Sequence, residues 1–142
     1  MTTTLTRMDN DPVTYFTELA EAECRSLLRD VEYGRIAWHD EHGVTVLPVN
    51  FQLVDGHVVF HTAPETVLAG LADEAEVAFQ VDDVDAEVAS GWTVLVRGRT
   101  RRVTQATEPV TWLADDRTVG IMIIETELSG RALSGARRAT NE

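Results

Sequence analysis

The sequence predicts a mainly β chain with a few short helices, an α+β fold whose antiparallel strands close into a small barrel. Three observations carry this. The stretch from Gly34 to Ala63, GRIAWHDEHGVTVLPVNFQLVDGHVVFHTA, reads as three consecutive strands joined by two tight turns. Asp55-Gly56 lies between Gln52-Leu53-Val54 and His57-Val58-Val59-Phe60, and supplies the positive φ angles of a two-residue hairpin. A later Arg-rich strand, GWTVLVRGRTRRV from Gly91 to Val103, adds to the same sheet. Closure follows because it removes unpaired edge groups.

In chain order, the first signal is helical and starts at Thr17. Cys24, Leu27, Leu28 and Val31 fall at i, i+3, i+4 and i+7, one apolar stripe, with Arg25, Arg29 and Asp30 opposite. Cys24 on that stripe is a small core residue rather than a nucleophile. Gly34 is expected to close the helix and begin the first strand. Asp40-Glu41-His42-Gly43 is a polar loop slightly longer than the Asp55-Gly56 turn. Pro64-Glu65-Thr66 is expected to open a short helix through Leu68, Leu71 and Ala72.

Val77 to Val81 reads as a strand leading into an acidic turn at Asp82, Asp83 and Asp85, which lacks the ligand spacing of a calcium loop. Trp92 to Thr104 is expected to be the longest strand. One of its faces carries Trp92, Val94, Val96 and Gly98, the other Thr93, Leu95, Arg97, Arg99 and Arg101. Thr107 to Thr118 is weakly patterned around Trp112. Val119 to Thr126 is a final apolar strand, with fraying from Gly130. The expected organisation is a single domain over 1–142, with flexible tails at 1–14 and 134–142.

Composition narrows the function. The chain has 142 residues, 44% hydrophobic and 25% charged, within the ordinary globular range. A net charge of −12, from 24 acidic and 12 basic residues, argues against nucleic acid and anionic membranes as partners. Every one of those cations is Arg. No apolar run is long enough to span a membrane, and a cytoplasmic protein is expected. A lone cysteine and four histidines without paired spacing give no metal site, and no phosphate loop or GxGxxG pattern is present. With no nucleophile or metal of its own, the barrel would rely on a cofactor for redox chemistry.

The same segments carry a resemblance. GRIAW, LPVNF, VFHTA, VAFQVDDVD and GWTVLVRG occur in the order and spacing of the pyridoxamine 5′-phosphate oxidase-like split barrels, which bind FMN. The likeness runs from about Leu19 to Leu133 and is nearest to the short actinobacterial and nitroimidazole-resistance-type branch, whose last strand IIETELSGRAL resembles. It implies a six-stranded antiparallel split β-barrel of the FMN-binding type. It also implies a homodimer with two clefts along the seam, acting as an oxidoreductase on a small-molecule substrate.

By that resemblance, Pro48, Val49, Asn50 and Phe51 run along the isoalloxazine ring and offer main-chain groups. His61, Thr62 and Thr66 approach the ribityl chain and phosphate, and Gln80 and Trp92 border the ring. Each has a structural alternative: a strand-edge bulge at Pro48, a turn cap at Asn50, an exposed strand position at His61, a core position at Trp92. The chain departs from the family pattern at Glu65-Thr66-Val67, where relatives place a Gly-containing turn and a phosphate-binding Lys. Arg97, Arg99 or Arg101 is then expected to supply the missing cation, unless these form a solvated strand face. A deazaflavin, a haem, or no cofactor at all in a regulatory binding barrel are the alternatives. The catalytic residues and substrate are not specified by the sequence.

The apolar strands Val46 to Phe51, Trp92 to Val96 and Val119 to Ile124 suggest more apolar surface than one small barrel consumes, hence a dimer.

Overall fold

This computed structural model describes residues 15–103 and 117–135. Its elements are β1 (Tyr15–Glu18), α1 (Glu21–Arg29), β2 (Tyr33–Asp40), β3 (Gly43–Asn50), β4 (Gln52–Val54) and β5 (His57–Thr62). A single 3-10 turn (Leu68–Leu71), β6 (Glu76–Asp85), β7 (Ser90–Arg102) and β8 (Val119–Ser134) follow.

All eight described strands belong to one antiparallel sheet, in the order β3-β2-β6-β7-β8-β5-β4, with β1 added against β8. The two ends of that path, β3 and β4, are consecutive in the chain and separated only by Phe51. They are one strand bent at Phe51, which pairs with β2 before the bend and with β5 after it. Counted so, six strands form the barrel and β1 is an accessory. This reconciles eight observed segments with the six expected.

The interior holds Ile36, Phe60, Phe79, Val81, Val94, Ile121 and Ile123, each no more than 1% exposed. Phe51, at the bend, turns inward and meets Phe79 edge-on, with ring centroids 4.9 Å apart. Such an aromatic pair adds about 0.5–1.5 kcal/mol beyond its buried area. Much of the apolar surface attributed to a dimer is consumed here: Val49, Phe51, Val94, Val96, Ile121 and Ile123 are all core. Val44, Val46 and Leu47 of β3 remain exposed.

Several local expectations are corrected. The helical pattern does not start at Thr17. Tyr15–Glu18 pairs with Arg131–Ser134 of β8, and the Leu19 amide donates to the Gly130 carbonyl at 2.9 Å, so long-range pairing overrides local propensity. The stripe itself holds, with Cys24 and Leu28 buried and Leu27 and Val31 packed beside them. Gly34 does not close the helix, which ends at Arg29. It lies inside β2, where an added Cβ would stand 2.8 Å from the Gln80 carbonyl oxygen, so Gly is required by close approach.

The first hairpin loop is as short as the second: Asp40 pairs with Gly43. The Asp40 carboxylate accepts the His42 amide (2.8 Å) and the Trp38 indole N–H (3.0 Å), which lowers its pKa. Asp55 and Gly56 both adopt the expected positive φ, 51° and 82°.

Pro64 does not begin a helix. Glu65 turns left-handed, φ 67°, and the 3-10 turn starts only at Leu68. Asp82, Asp83 and Asp85 are not a turn but the end of β6, paired with β7 as far as Asp85–Ser90.

The longest strand is β8, at 16 residues, not β7, at 13. Instead of fraying at Gly130, it pairs with β1 and β7 through Ser134. A bulge explains why its pattern was hard to read: Arg97 pairs with Glu127 and Gly98 with Glu125, leaving Thr126 as the extra residue. Before it Ile121 and Ile123 point inward; after it Gly130 does. Of the weakly patterned segment Thr107 to Thr118, all but Arg117 and Thr118 lies outside the described residues, as do the expected tail at 1–14 and the part of the tail 134–142 from residue 136; Ser134 is the last residue of β8. No helix among the described residues is long and apolar enough to cross a membrane.

Candidate functional site

Alternation along paired strands assigns the outward positions. With Phe79, Val81, Val94 and Val96 inside, the residues between them face out. Two cross-strand rows result on the outer wall. One runs Val46, Ala37, Ala78, Arg97, Glu127, and the next Pro48, Arg35, Gln80, Leu95, Ser129. Two grooves run over this wall. One groove of about 750 Å³ is lined by Ala37, Val44, Glu76, Ala78, Arg97 and Arg99 among others. A second, of about 730 Å³, is lined by Gln80, Thr93, Leu95, Arg97, Glu127 and Arg131 among others, and the two meet at Arg97. Both fall within the size range of small-molecule sites.

Four expected cofactor residues are therefore gathered on one surface: Pro48, Gln80, Arg97 and Arg99. Gln80 donates to Asp82 at 3.1 Å, and Asp82 also meets Arg35 at 3.4 Å. Arg97 stands 3.8 Å from Glu127, both side chains more than half exposed, a weak pair in water. The Arg99 guanidinium donates to the Glu74 carbonyl at 3.1 Å.

A second group forms where β5 ends. Thr62 is buried and its hydroxyl lies 2.8 Å from that of Thr66. The Thr66 hydroxyl donates to the Ala63 carbonyl (2.9 Å) and accepts the Ala69 amide (3.1 Å), so it caps the 3-10 turn. Left-handed Glu65 sits inside this turn, and Val67 is 65% exposed. The departure noted in the sequence thus falls on a conformation that favours Gly.

His61, opposite Gly120 on the far face of β5 from Phe60, is only 8% exposed. Burial lowers its pKa, so the ring is neutral near pH 7.

Other expected residues go elsewhere. The Val49 and Phe51 side chains are in the core, and the Phe51 amide is already taken by the Glu32 carbonyl at 3.0 Å. The Asn50 side-chain Nδ2 donates to the same carbonyl at 3.3 Å. Half-buried Trp92 packs against the core from the inner face of β7, opposite Asp83 and Ala132. It is not on the wall with Gln80. Arg101 is exposed and pairs in register with Met122.

Sequence reasoning missed Arg117, whose guanidinium donates to the His61 carbonyl at 3.3 Å. Antiparallel pairing of Thr62 with Val119 brings it there. The signal was available: whatever precedes the last apolar strand must flank whatever follows β5. The alanine floor, Ala37 and Ala78, was also missed, because small apolar residues carry no chemical signature.

Comparison with known proteins agrees with this architecture. A 34% identical stretch of 86 residues links the chain to an uncharacterized protein of Mycobacterium tuberculosis; it spans 57% of this chain and 57% of that relative's length. A structure of the FAD binding protein from Mycobacterium smegmatis is 33% identical with a TM-score of 0.67, covering 82% of this chain and 97% of that one. A FAD-binding protein from Mesorhizobium loti has the same fold, at 19% identity and a TM-score of 0.67, over 85% of this chain and 98% of that one. The sequence profile of the pyridoxamine 5′-phosphate oxidase family matches residues 20–119, well over half the chain. On that match, carried by a six-stranded split barrel of the expected topology, the chain belongs to the pyridoxamine 5′-phosphate oxidase family.

Proposed function

We propose that this split barrel binds a flavin, FMN in the first place, and serves as an oxidoreductase on a small organic substrate. The observation that carries the reading is the hydroxyl-lined turn after β5, where Thr62 and Thr66 stand 2.8 Å apart beside Arg117. Two hydroxyls, once their protons turn from Thr66 and the Ala63 carbonyl toward the ligand, and a guanidinium suit phosphate oxygens, and the guanidinium contributes charge that Val67 does not. The mycobacterial relative described as FAD-binding supports a flavin and makes FAD the alternative.

When bound, the flavin would supply hydride or electron transfer. The chain's own residues would bind and orient it. Thr62, Thr66 and Arg117 would take the phosphate, while Pro48, Val49 and Asn50 would offer main-chain groups along the ring edge. Gln80 would face the cleft from the outer wall, and buried His61 would keep an uncharged wall beside the turn. A second copy of the chain is the partner we assign to the exposed β3 residues.

A non-catalytic binding barrel is the second reading, favoured by Glu65, which places a carboxylate on the phosphate turn. Fluorescence titration of the purified protein with FMN, FAD and riboflavin tests both. Tighter binding of FMN than of riboflavin, lost selectively in Arg117→Gln, supports the phosphate site. Absence of flavin binding in the natural protein would overturn the proposal. Weak binding with no turnover of any electron acceptor would favour the second reading.

A further inference from the structure

We propose that the trough over Ala37 and Ala78 on the outer wall is a second ligand site, built for a flat aromatic monocarboxylate held by Arg97 and Arg99. As a substrate subsite it rests on the flavin reading; as a binding site it stands without it.

The floor comes first. Ala37 and Ala78 are direct cross-strand partners, so two methyl groups are all that rises from the centre of the trough. Val44 and Val46 of β3 flank them on one side, and Arg97 and Arg99 of β7 on the other. Four adjacent strands place the β3 and β7 backbones about 14 Å apart, at the usual strand spacing. Once the flanking side chains are subtracted, a single aromatic ring fits flat on the alanines. A low methyl floor permits that contact; a larger residue at either position would block it.

Charge selects the ligand. Glu76 stands opposite Arg99 in register, yet the Arg99 guanidinium turns to the Glu74 carbonyl. Among the described residues no carboxylate lies within ion-pair distance of it. Its charge is held in place by a neutral acceptor. Among the described residues Arg97 has only the long, exposed contact to Glu127, which a better anion would displace at little cost. The bulge beside Arg97 is fixed by the Thr126 hydroxyl, which donates to the Arg97 carbonyl at 3.1 Å. A bulge of this kind re-aims its neighbours, and here it lies on the trough's rim.

Once Glu127 is displaced from Arg97, two guanidinium groups face one carboxylate, Glu76, and the rim is left with one surplus positive charge. That matches a carboxylate and disfavours a dianion. A guanidinium fork also suits a planar carboxylate geometrically.

The test uses benzoate and its uncharged isostere benzamide, titrated into the whole protein and followed by ligand-observed NMR. Benzoate should bind at least about tenfold more tightly than benzamide, the effect of one charge-assisted hydrogen bond or more. Arg99→Gln and Arg97→Gln should each remove most of that preference. Ala78→Leu should abolish binding of both ligands, and Arg102→Gln, away from the trough, should change nothing. Equal binding of benzoate and benzamide, or unchanged benzoate affinity in Arg99→Gln, would overturn the proposal. So would complete displacement of benzoate by FMN, which would make the trough part of the flavin cleft. FMN and riboflavin titrations of the same variants keep the flavin reading separate, since loss of flavin binding alone leaves the benzoate result intact.

Discussion

Arg25 grips Glu125 with both guanidinium arms: Nη2 to Oε2 at 2.8 Å and Nη1 to Oε1 at 3.3 Å. The pair joins α1 to β8 across one hundred positions of chain, and Glu21 reinforces it from the helix at 2.7 Å. These carboxylates hold the guanidinium charged. Since both partners are partly solvated, Glu125→Ala is expected to cost about 1–2 kcal/mol, the lower part of the range for hydrogen bonds to charged groups. Urea unfolding measures this; an unchanged midpoint would show that α1 is held by Cys24 and Leu28 alone.

His61 gives the acid side of the stability curve. Its folded pKa is depressed by burial, so the unfolded chain takes up the proton more readily. Stability from this group is full above the unfolded value near 6.5 and declines as pH falls from there toward the lowered folded value. Between pH 7 and 5 the natural protein should therefore lose more stability than His61→Gln. Parallel slopes of urea midpoint against pH for the two proteins would remove His61 from the account. The Asp40 carboxyl, lowered from 3.8, acts in a separate window below pH 4.

Gly98 marks the bulge. A Cβ there would run into the carbonyl oxygen of Ile124, a backbone atom with little room to yield. Gly98→Ala should destabilise by about 1–3 kcal/mol, as overpacking does. Gly70, where nothing lies within 4 Å of an added Cβ, is the control, and Gly70→Ala should fold normally. Equal stability of the two variants would contradict the bulge geometry.

The Glu65 turn predicts a gain of function. Replacing left-handed Glu65 by Gly relieves the backbone, and installing Lys at exposed Val67 adds a cation to the same turn. The Glu65→Gly, Val67→Lys protein should bind FMN more tightly than the natural one, with the advantage shrinking as salt rises. Calorimetric titration at two ionic strengths decides it. A double variant that binds no better would place the phosphate elsewhere.

Val46 and Leu47, 53% and 37% exposed, predict self-association through β3. Sedimentation should give a dimer at micromolar concentration, shifted toward monomer by Val46→Glu. A natural protein that sediments only as monomer would exclude a cleft shared between subunits.

Alternation and turn chemistry made the sheet readable in advance. Asp55-Gly56 fixed one hairpin, and the period-two pattern of β7 separated Val94 and Val96 from Arg97 and Arg99. What escaped was whatever depends on distant pairing. Tyr15–Glu18 became a strand only because β8 lies beside it, and β8 hid its length because the bulge at Thr126 inverts its pattern partway along. The site divided in the same way. Residues with chemical character, Thr62, Thr66, Gln80 and Arg97, could be named from the sequence. Arg117 and the alanine floor could not, since their roles arise from which strands become neighbours.

The register of β8 also bears on how the chain is made. This strand pairs with β1, β5 and β7, and it follows all three in the chain. During synthesis the hairpins β2–β3, β4–β5 and β6–β7 can form as they emerge, but β5 and β7 wait with open edges until Val119–Ser134 arrives. Until then the nascent barrel has a gap one strand wide, and another copy's edge is a competing partner. Closure needs contacts far apart in sequence, so it is expected to be the slow step of folding. Crowded synthesis should favour strand-exchanged aggregates over soluble protein, and slower translation between β7 and β8 should aggravate this by prolonging the open state.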